Sequence, residues 1–243
     1  MTPLFLVLLF AVGVLSGSTA AIVGFGIGSL LTPLLTLRFS PELAVALVAL
    51  PHLLATATRL VRHAAWVDRK TFLRFGLLSA AGGLGGALLQ SSVSGPTLLA
   101  VLGALLIATA LASLTGNFGE HRPSPPVALS LGLLSGLFGG LVGNQGGLRA
   151  AGLLAFDLSP RPFLATSTAV ALLVDLARTP VYLARAGTQL WPLAFPIAVA
   201  AAGCLLGTLL GERLLLRMGP ATYRRLVGAG VGAIGVWLLA RAL

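Results

Sequence analysis

The sequence predicts an all-α polytopic membrane protein built as two homologous halves. Three observations predict it. Of 243 residues, 57% are hydrophobic and 9% are charged, against about 25% charged in soluble domains; mean hydropathy is +1.00. Apolar runs of roughly 20 residues recur, the length a helix needs to cross the hydrocarbon core, and the alternation of a barrel strand is absent. A shift of 119 residues lays residues 15–59 on 134–178 without gaps. At roughly 25–30 residues per span and loop, about eight spans fit, and two of the apolar runs are broken by glycine into re-entrant half-helices. The halves are residues 1–115 and 127–243, joined by a polar linker over 116–126 that holds three prolines.

In chain order, residues 4–23 form the first span. No basic residue precedes Arg38, so this segment lacks the positive start of a signal peptide and reads as a retained span. Gly24-Phe25-Gly26-Ile27-Gly28 interrupts it. Residues 29–37 are too few to cross and read as a half-helix. Ser40 and Pro41 suit an N-cap and first helical position for a span over 42–61, kinked at Pro51. Arg59, Arg62, Arg69, Lys70 and Arg74 then surround a short loop, a strong cytoplasmic signal, with Trp66 at headgroup level. The next span, 72–89, carries Gly82, Gly83, Gly85 and Gly86. These allow close helix packing and do not form a nucleotide loop, since no strand precedes them. Residues 91–96 are an uncharged turn and 97–114 a further span.

The second half repeats this plan. Ser16/Ser135, Gly17/Gly136, Gly24/Gly143, Gly28/Gly147, Ser40/Ser159, Pro41/Pro160 and Arg59/Arg178 match in register. Its basic loop holds Glu212, Arg213, Arg217, Arg224 and Arg225. Placing both basic loops in the cytoplasm favours inverted repeats. The net charge of +10 follows from arginines at span ends and implies no nucleic-acid partner. Cys204, the one cysteine, excludes an internal disulfide and reads as a buried packing residue. No nucleophile–base spacing, paired carboxylates or metal cluster argues for an enzyme, and no cofactor or metal is implied.

The second break, Gly143-Asn144-Gln145-Gly146-Gly147-Leu148-Arg149, is the more polar of the two. Irregular backbone at membrane depth is tolerated only where it is buried or lines a cavity. A half-helix starting after each break offers unpaired N–H groups and the positive end of its dipole, an anion site made of backbone. The predicted substrate site comprises Gly24, Gly26, Gly28, Ser135, Gly143, Asn144, Gln145, Gly146, Gly147, Arg149, Thr166, Ser167 and Thr168. Asn144 and Gln145 can donate amide N–H groups to an oxyanion or merely cap the helix. Arg149 can grip an anion in bidentate fashion or pair with Asp157 or Asp175. Three consecutive hydroxyls at Thr166, Ser167 and Thr168 put at least one toward the site. Asp175 and Arg178 share a helix face. They form a structural ion pair or, in the sharper reading, a proton-coupling element together with His52. Arg59 is expected in the same structural ion-pair role as its counterpart Arg178.

These motifs together resemble the TauE/SafE-type sulfite exporter (TSUP) family of membrane permeases. The resemblance rests on Leu134-Ser135-Gly136, the Gly143–Gly147 break, Leu158-Ser159-Pro160 and Ala165-Thr166-Ser167-Thr168, with first-half counterparts Leu15-Ser16-Gly17, Gly24–Gly28 and Ser40-Pro41. It implies a permease of the bacterial inner membrane for sulfite, an organosulfonate or, in some members, a carboxylate. Its partners would be the lipid bilayer, a small anion and, as open candidates, protons and a second copy of the chain. The sequence departs from the family's pattern at Asn144-Gln145 and Arg149, which leaves open a different small solute, and a purely structural membrane protein remains the third reading.

Overall fold

The computed structural model describes residues 1–115, 122–218 and 220–243, with the backbone alone for residue 23 and residues 212–218 and 220–224. Most of the expected linker, 116–121, and the side chains Glu212, Arg213, Arg217 and Arg224 of the second basic loop therefore lie outside the described residues. The described chain is helical almost throughout. Seven stretches are long and apolar enough to cross a membrane, and one of them, Pro160–Gly211, holds two helices in succession.

The first half opens with α1, Pro3–Val23, capped by the Thr2 hydroxyl and by proline in its first turn. After the break comes α2, Ile27–Leu35, nine residues long. It starts and ends two residues earlier than the sequence suggests. Helix α3, Pro41–His63, begins at the Ser40 cap, with Leu43 N–H donating to Ser40 Oγ at 3.3 Å. The short α4, Arg69–Thr71, starts at an Asp68 cap. It runs through a π-helical turn, Phe72–Gly76, into α5, Leu77–Leu89. Helix α6 spans Gly95–Thr115.

The second half follows the same order. Helix α7, Pro125–Val142, ends at the second break, and α8, Gly146–Leu153, restarts after it; α7 thus already includes Pro125 and Pro126 of the expected linker. Helix α9 is Pro160–Leu190, α10 is Ala194–Met218 and α11 is Pro220–Ala242. At 1.5 Å per residue, α9 is about 46 Å long, longer than the hydrocarbon core is thick.

Glycines set the helix pairs. Gly13 of α1 faces Ala200 and Gly203 of α10, and Gly17 faces Cys204 and Thr208, so these helices run in the same direction at backbone contact. The same holds for α5 and α7, where Gly82 meets Leu133 and Gly86 meets Leu137. A Cβ at Gly17, Gly82 or Gly86 would land on a neighbouring carbonyl, the small-residue packing of membrane helices. Helices α6 and α11 pair in opposite directions through Gly103 and Gly235. Helices α3 and α9 also oppose each other, since His52 meets Asp175 while Asp68, beyond the end of α3, meets Thr166 near the start of α9.

Each broken segment folds back on itself. Leu35 at the end of α2 returns beside Leu9 of α1, and Arg38 stacks 4.7 Å over the Phe5 ring. Gly152 of α8 returns beside Ala128 of α7. The two hairpins enter from opposite ends of the bundle, and their tips meet in its middle.

Candidate functional site

The tips are built alike. Helix α1 ends at Gly24 in the left-handed region, φ 86°, with its N–H on the Ala20 carbonyl at 3.0 Å. Helix α7 ends at Gly143, φ 75°, with its N–H on the Gly139 carbonyl at 3.1 Å. Glycine suits this position because a Cβ strains it. Each of these carbonyls accepts a second bond from a buried guanidinium, Arg59 to Ala20 and Arg178 to Gly139. All these pairs obey the 119-residue offset. Two arginines thus pin the ends of the two broken helices.

The tips press on each other. A Cβ at Gly28 would fall on the Gly143 carbonyl, and one at Gly146 would fall on Phe25. The glycines that a sequence reading assigns to ligand approach therefore also permit approach of one break to the other. Ser135 donates to the Gln145 carbonyl at 2.8 Å and fixes the second break's backbone.

Asn144, Gln145 and Arg149 are buried, at 6%, 4% and 2% exposure. The Arg149 Nε donates to Ser167 Oγ at 3.0 Å, and one terminal nitrogen donates to the Gly24 carbonyl at 3.0 Å, tying the second half-helix to the first break. Its other terminal nitrogen has no hydrogen-bond partner, nor have Asn144 Nδ2 and Gln145 Nε2. Buried polar atoms in native proteins are nearly always satisfied, so three unpartnered donors on two turns of chain, with the unpartnered acceptor Gln145 Oε1 among them, mark a place for a polar ligand that supplies mainly acceptors.

Behind the break sits a charged cluster. Arg178 pairs with Asp175 Oδ1 at 2.9 Å, and His52 Nδ1 lies 2.6 Å from Asp175 Oδ2. Thr56, the first-half counterpart of Asp175, lies 3.4 Å from the same His52 nitrogen. Arg59, Arg149 and Arg178 are buried, and among the described residues Asp175 is the one buried carboxylate. Three guanidiniums against one carboxylate leave an uncompensated positive excess at membrane depth, a costly arrangement without a counter-ion.

The structure sorts the sequence-based candidates. Gly24, Gly26, Gly28, Gly143, Asn144, Gln145, Gly146, Gly147, Ser135, Arg149 and Ser167 gather at the tips. Thr166 instead accepts from the Asp68 N–H at 2.9 Å, at the start of α4, and Thr168 bonds back to the Leu164 carbonyl at 2.8 Å; successive residues on a helix point about 100° apart, so one of the three hydroxyls reaches the break. Arg59 is no ion-pair member: one terminal nitrogen donates to the Ala20 carbonyl, its Nε has no hydrogen-bond partner, and among the described residues no carboxylate pairs with it. Arg149 pairs with neither aspartate proposed for it. Asp157 pairs with Arg122 at 2.8 Å at the surface, and Asp175 is held by His52 and Arg178.

Two residues escaped the sequence reading. Tyr182 donates to the Gly140 carbonyl, and its ring centre lies 5.9 Å from the Arg178 guanidinium; its four-residue spacing from Arg178 was the available signal. Thr109 of α6, with Leu105, Ala108 and Ala112, faces Asn144, Gln145 and Gly147 across a cavity of about 160 Å³. No local pattern links α6 to the break.

The model of the family described as "Sulfite exporter TauE/SafE" matches residues 9–238 of the chain. No curated protein and no solved structure matches it.

Proposed function

The chain belongs to the TauE/SafE sulfite exporter family of membrane transporters, and from that premise we propose that it is a secondary permease for a small sulfur-containing oxyanion, sulfite or an organosulfonate. The anion binds where the two helix breaks meet. The observation that carries this reading is the set of buried, unpartnered donors on Asn144, Gln145 and Arg149, backed by the positive excess of the arginine cluster. An oxyanion supplies the acceptors and the charge that both lack. Family membership implies transport; the donor chemistry selects the anion.

The cavity beside Asn144 and Gln145 is walled mostly by Leu105, Ala108, Ala112, Leu148 and Ala151. That apolar wall favours an anion with a short carbon body, an organosulfonate, over a bare inorganic one.

The halves act as inverted repeats, each supplying one hairpin, in the way duplicated halves with broken helices build secondary transporters. Arg62, Arg69, Lys70, Arg74, Arg122 and Arg161 lie toward one end of the bundle. Arg38, Arg185 and Arg241 lie toward the other, Arg185 against Leu88 and Ser91 and Arg241 against Thr36. The positive-inside bias puts the first end in the cytoplasm. The His52–Asp175 contact couples protons: a proton taken up by the pair increases the local positive charge and draws in the anion.

The test is a thermal-shift panel of sulfite, short alkanesulfonates, sulfate, thiosulfate and small carboxylates on the purified protein, followed by uptake in proteoliposomes. A ligand that binds the folded state at about 100 times its Kd stabilises it by about 2.7 kcal/mol. Sulfite or a sulfonate is expected to raise the unfolding temperature and to be carried. A response to carboxylates alone overturns the substrate assignment.

A further inference from the structure

The first half-helix carries two hydroxyls that the site described so far does not use. Ser29 and Thr32 lie three apart on α2, hence on one face, and are 1% and 0% exposed. Neither oxygen has a hydrogen-bond partner. That is unusual within this chain. Ser16, Thr19, Thr58, Thr109, Ser113, Thr115, Ser130 and Thr168 each donate to the carbonyl four residues back, the ordinary way to satisfy a hydroxyl in an apolar helix. For Ser29 the residue four back is Phe25, in the break. Thr32 has a helical carbonyl within reach and does not use it. Thr179 and Thr208, the other buried hydroxyls without a partner among the described residues, stand on neither break nor half-helix.

The two hydroxyls also face the right way. Leu30 and Leu34, four apart on another face of α2, line an apolar groove with Val12, Ile234 and Trp237. Thr32 is turned toward the second break: a Cβ built on Gly143 would stand 3.3 Å from Thr32 Oγ1. Gly28, which precedes Ser29, is in contact with the Gly143 carbonyl and lies against Asn144.

We propose that Ser29 and Thr32 are substrate-contacting, specificity-determining residues, which complete from the first half the anion site whose amides and guanidinium come from the second. The inference rests on the anion-site reading above and deepens it. A hydroxyl both donates and accepts, so this pair can receive an oxyanion that keeps one proton, such as hydrogensulfite, as well as a sulfonate. The guanidinium and amide N–H groups opposite can only donate. With neutral groups on one side and charge on the other, the site binds a monoanion without trapping it.

The experiment measures binding and proteoliposome uptake of sulfite and ethanesulfonate by the full-length protein and by Ser29→Ala, Thr32→Val, Thr32→Ser, Arg149→Met and Thr208→Val. Loss of one hydrogen bond to a charged ligand corresponds to roughly a 10- to 100-fold weaker Kd. Ser29→Ala and Thr32→Val are expected to show it, Thr32→Ser to restore most of it, and Thr208→Val to bind like the parent. Parental affinity in both Ser29→Ala and Thr32→Val, with affinity lost in Arg149→Met, overturns the hydroxyls' role and leaves the site standing. Parental affinity in all of them overturns the site as well. Should Thr32→Val fail to fold, Ser29→Ala, which removes a single oxygen, decides the matter, with Thr32→Ser as the folded reference.

Discussion

Replacing Arg149 by methionine separates a ligand-binding arginine from a structural one. Arg149 makes two hydrogen bonds in the protein, to Ser167 Oγ and the Gly24 carbonyl, both at 3.0 Å, and keeps one terminal nitrogen unpartnered. Methionine is apolar and flexible and matches the arginine stem as far as Nε. It leaves the buried Ser167 hydroxyl and the part-buried Gly24 carbonyl without their donor, at up to about 1–3 kcal/mol each. It also removes a buried guanidinium from a cluster with excess positive charge, which offsets several kcal/mol of desolvation and repulsion. The two effects are of similar size and opposite sign, so the ligand-free variant should fold with an unfolding temperature within a few degrees of the parent. Binding has no such compensation. A charge-assisted contact contributes about 1.5–3 kcal/mol, so the Kd for sulfite or a sulfonate should weaken roughly 10- to 150-fold. Arg149→Lys should recover only part of this, because a point charge cannot make the guanidinium's planar fork of bonds. The assay is ligand-dependent thermal shift, with uptake in proteoliposomes as the functional readout. A variant that unfolds much earlier without ligand but keeps the parental ligand shift refutes the argument, since it shows an arginine that only ties α8 to the first break.

Asp175→Asn keeps the shape of the His52 and Arg178 contacts but removes the charge between them; uptake should lose its dependence on external pH, and an unchanged pH profile rules out the coupling role. Gly28→Ala places a Cβ on the Gly143 carbonyl, where backbone cannot yield, and should abolish the folded, monodisperse protein. Gly24→Ala has open space around its Cβ and should cost only the left-handed backbone strain, about 1–2 kcal/mol, so equal damage from the two substitutions contradicts the meeting of the breaks. At the Asp68 cap, hydrogen bonds from the Thr71 backbone N–H and hydroxyl hold the carboxyl below its usual range. Its stabilisation is therefore present above the ordinary aspartate pKa of about 3.9 and lost as pH falls through the lower folded value. Asp68→Ala should cost roughly 1 kcal/mol at neutral pH, read as a lower unfolding temperature, and progressively less on acidification.

Much of the fold was legible because helix physics is local. Apolar runs gave the spans, Ser40 behaves as a cap, and clustered glycines located both breaks to within two residues. The ion pair Asp175–Arg178 was legible from spacing on one helix. Arg59 was misread because repeat position carried it over from Arg178, while the aspartate it would need is Thr56 in its own half. Thr166, Ser167 and Thr168 were undivided because helical rotation separates their partners by distances the sequence does not express. Ser29 and Thr32 looked like ordinary small residues, and only their lack of partners in three dimensions sets them apart.

By itself the sequence determined a membrane-embedded helical chain with two interrupted helices, the second polar, and arginines crowded at loop ends. Hydropathy, glycine and charge act over a few residues, so their pattern is written along the chain. Only the tertiary structure decided that the hairpins enter from opposite ends, that Gly28 touches Gly143, and that Arg149 reaches the Gly24 carbonyl 125 residues away. It also decided that three buried guanidiniums gather around one buried carboxylate, with which only Arg178 among them pairs. Those facts depend on how distant helices pack, and an anion site made of two half-helices exists only once they have met.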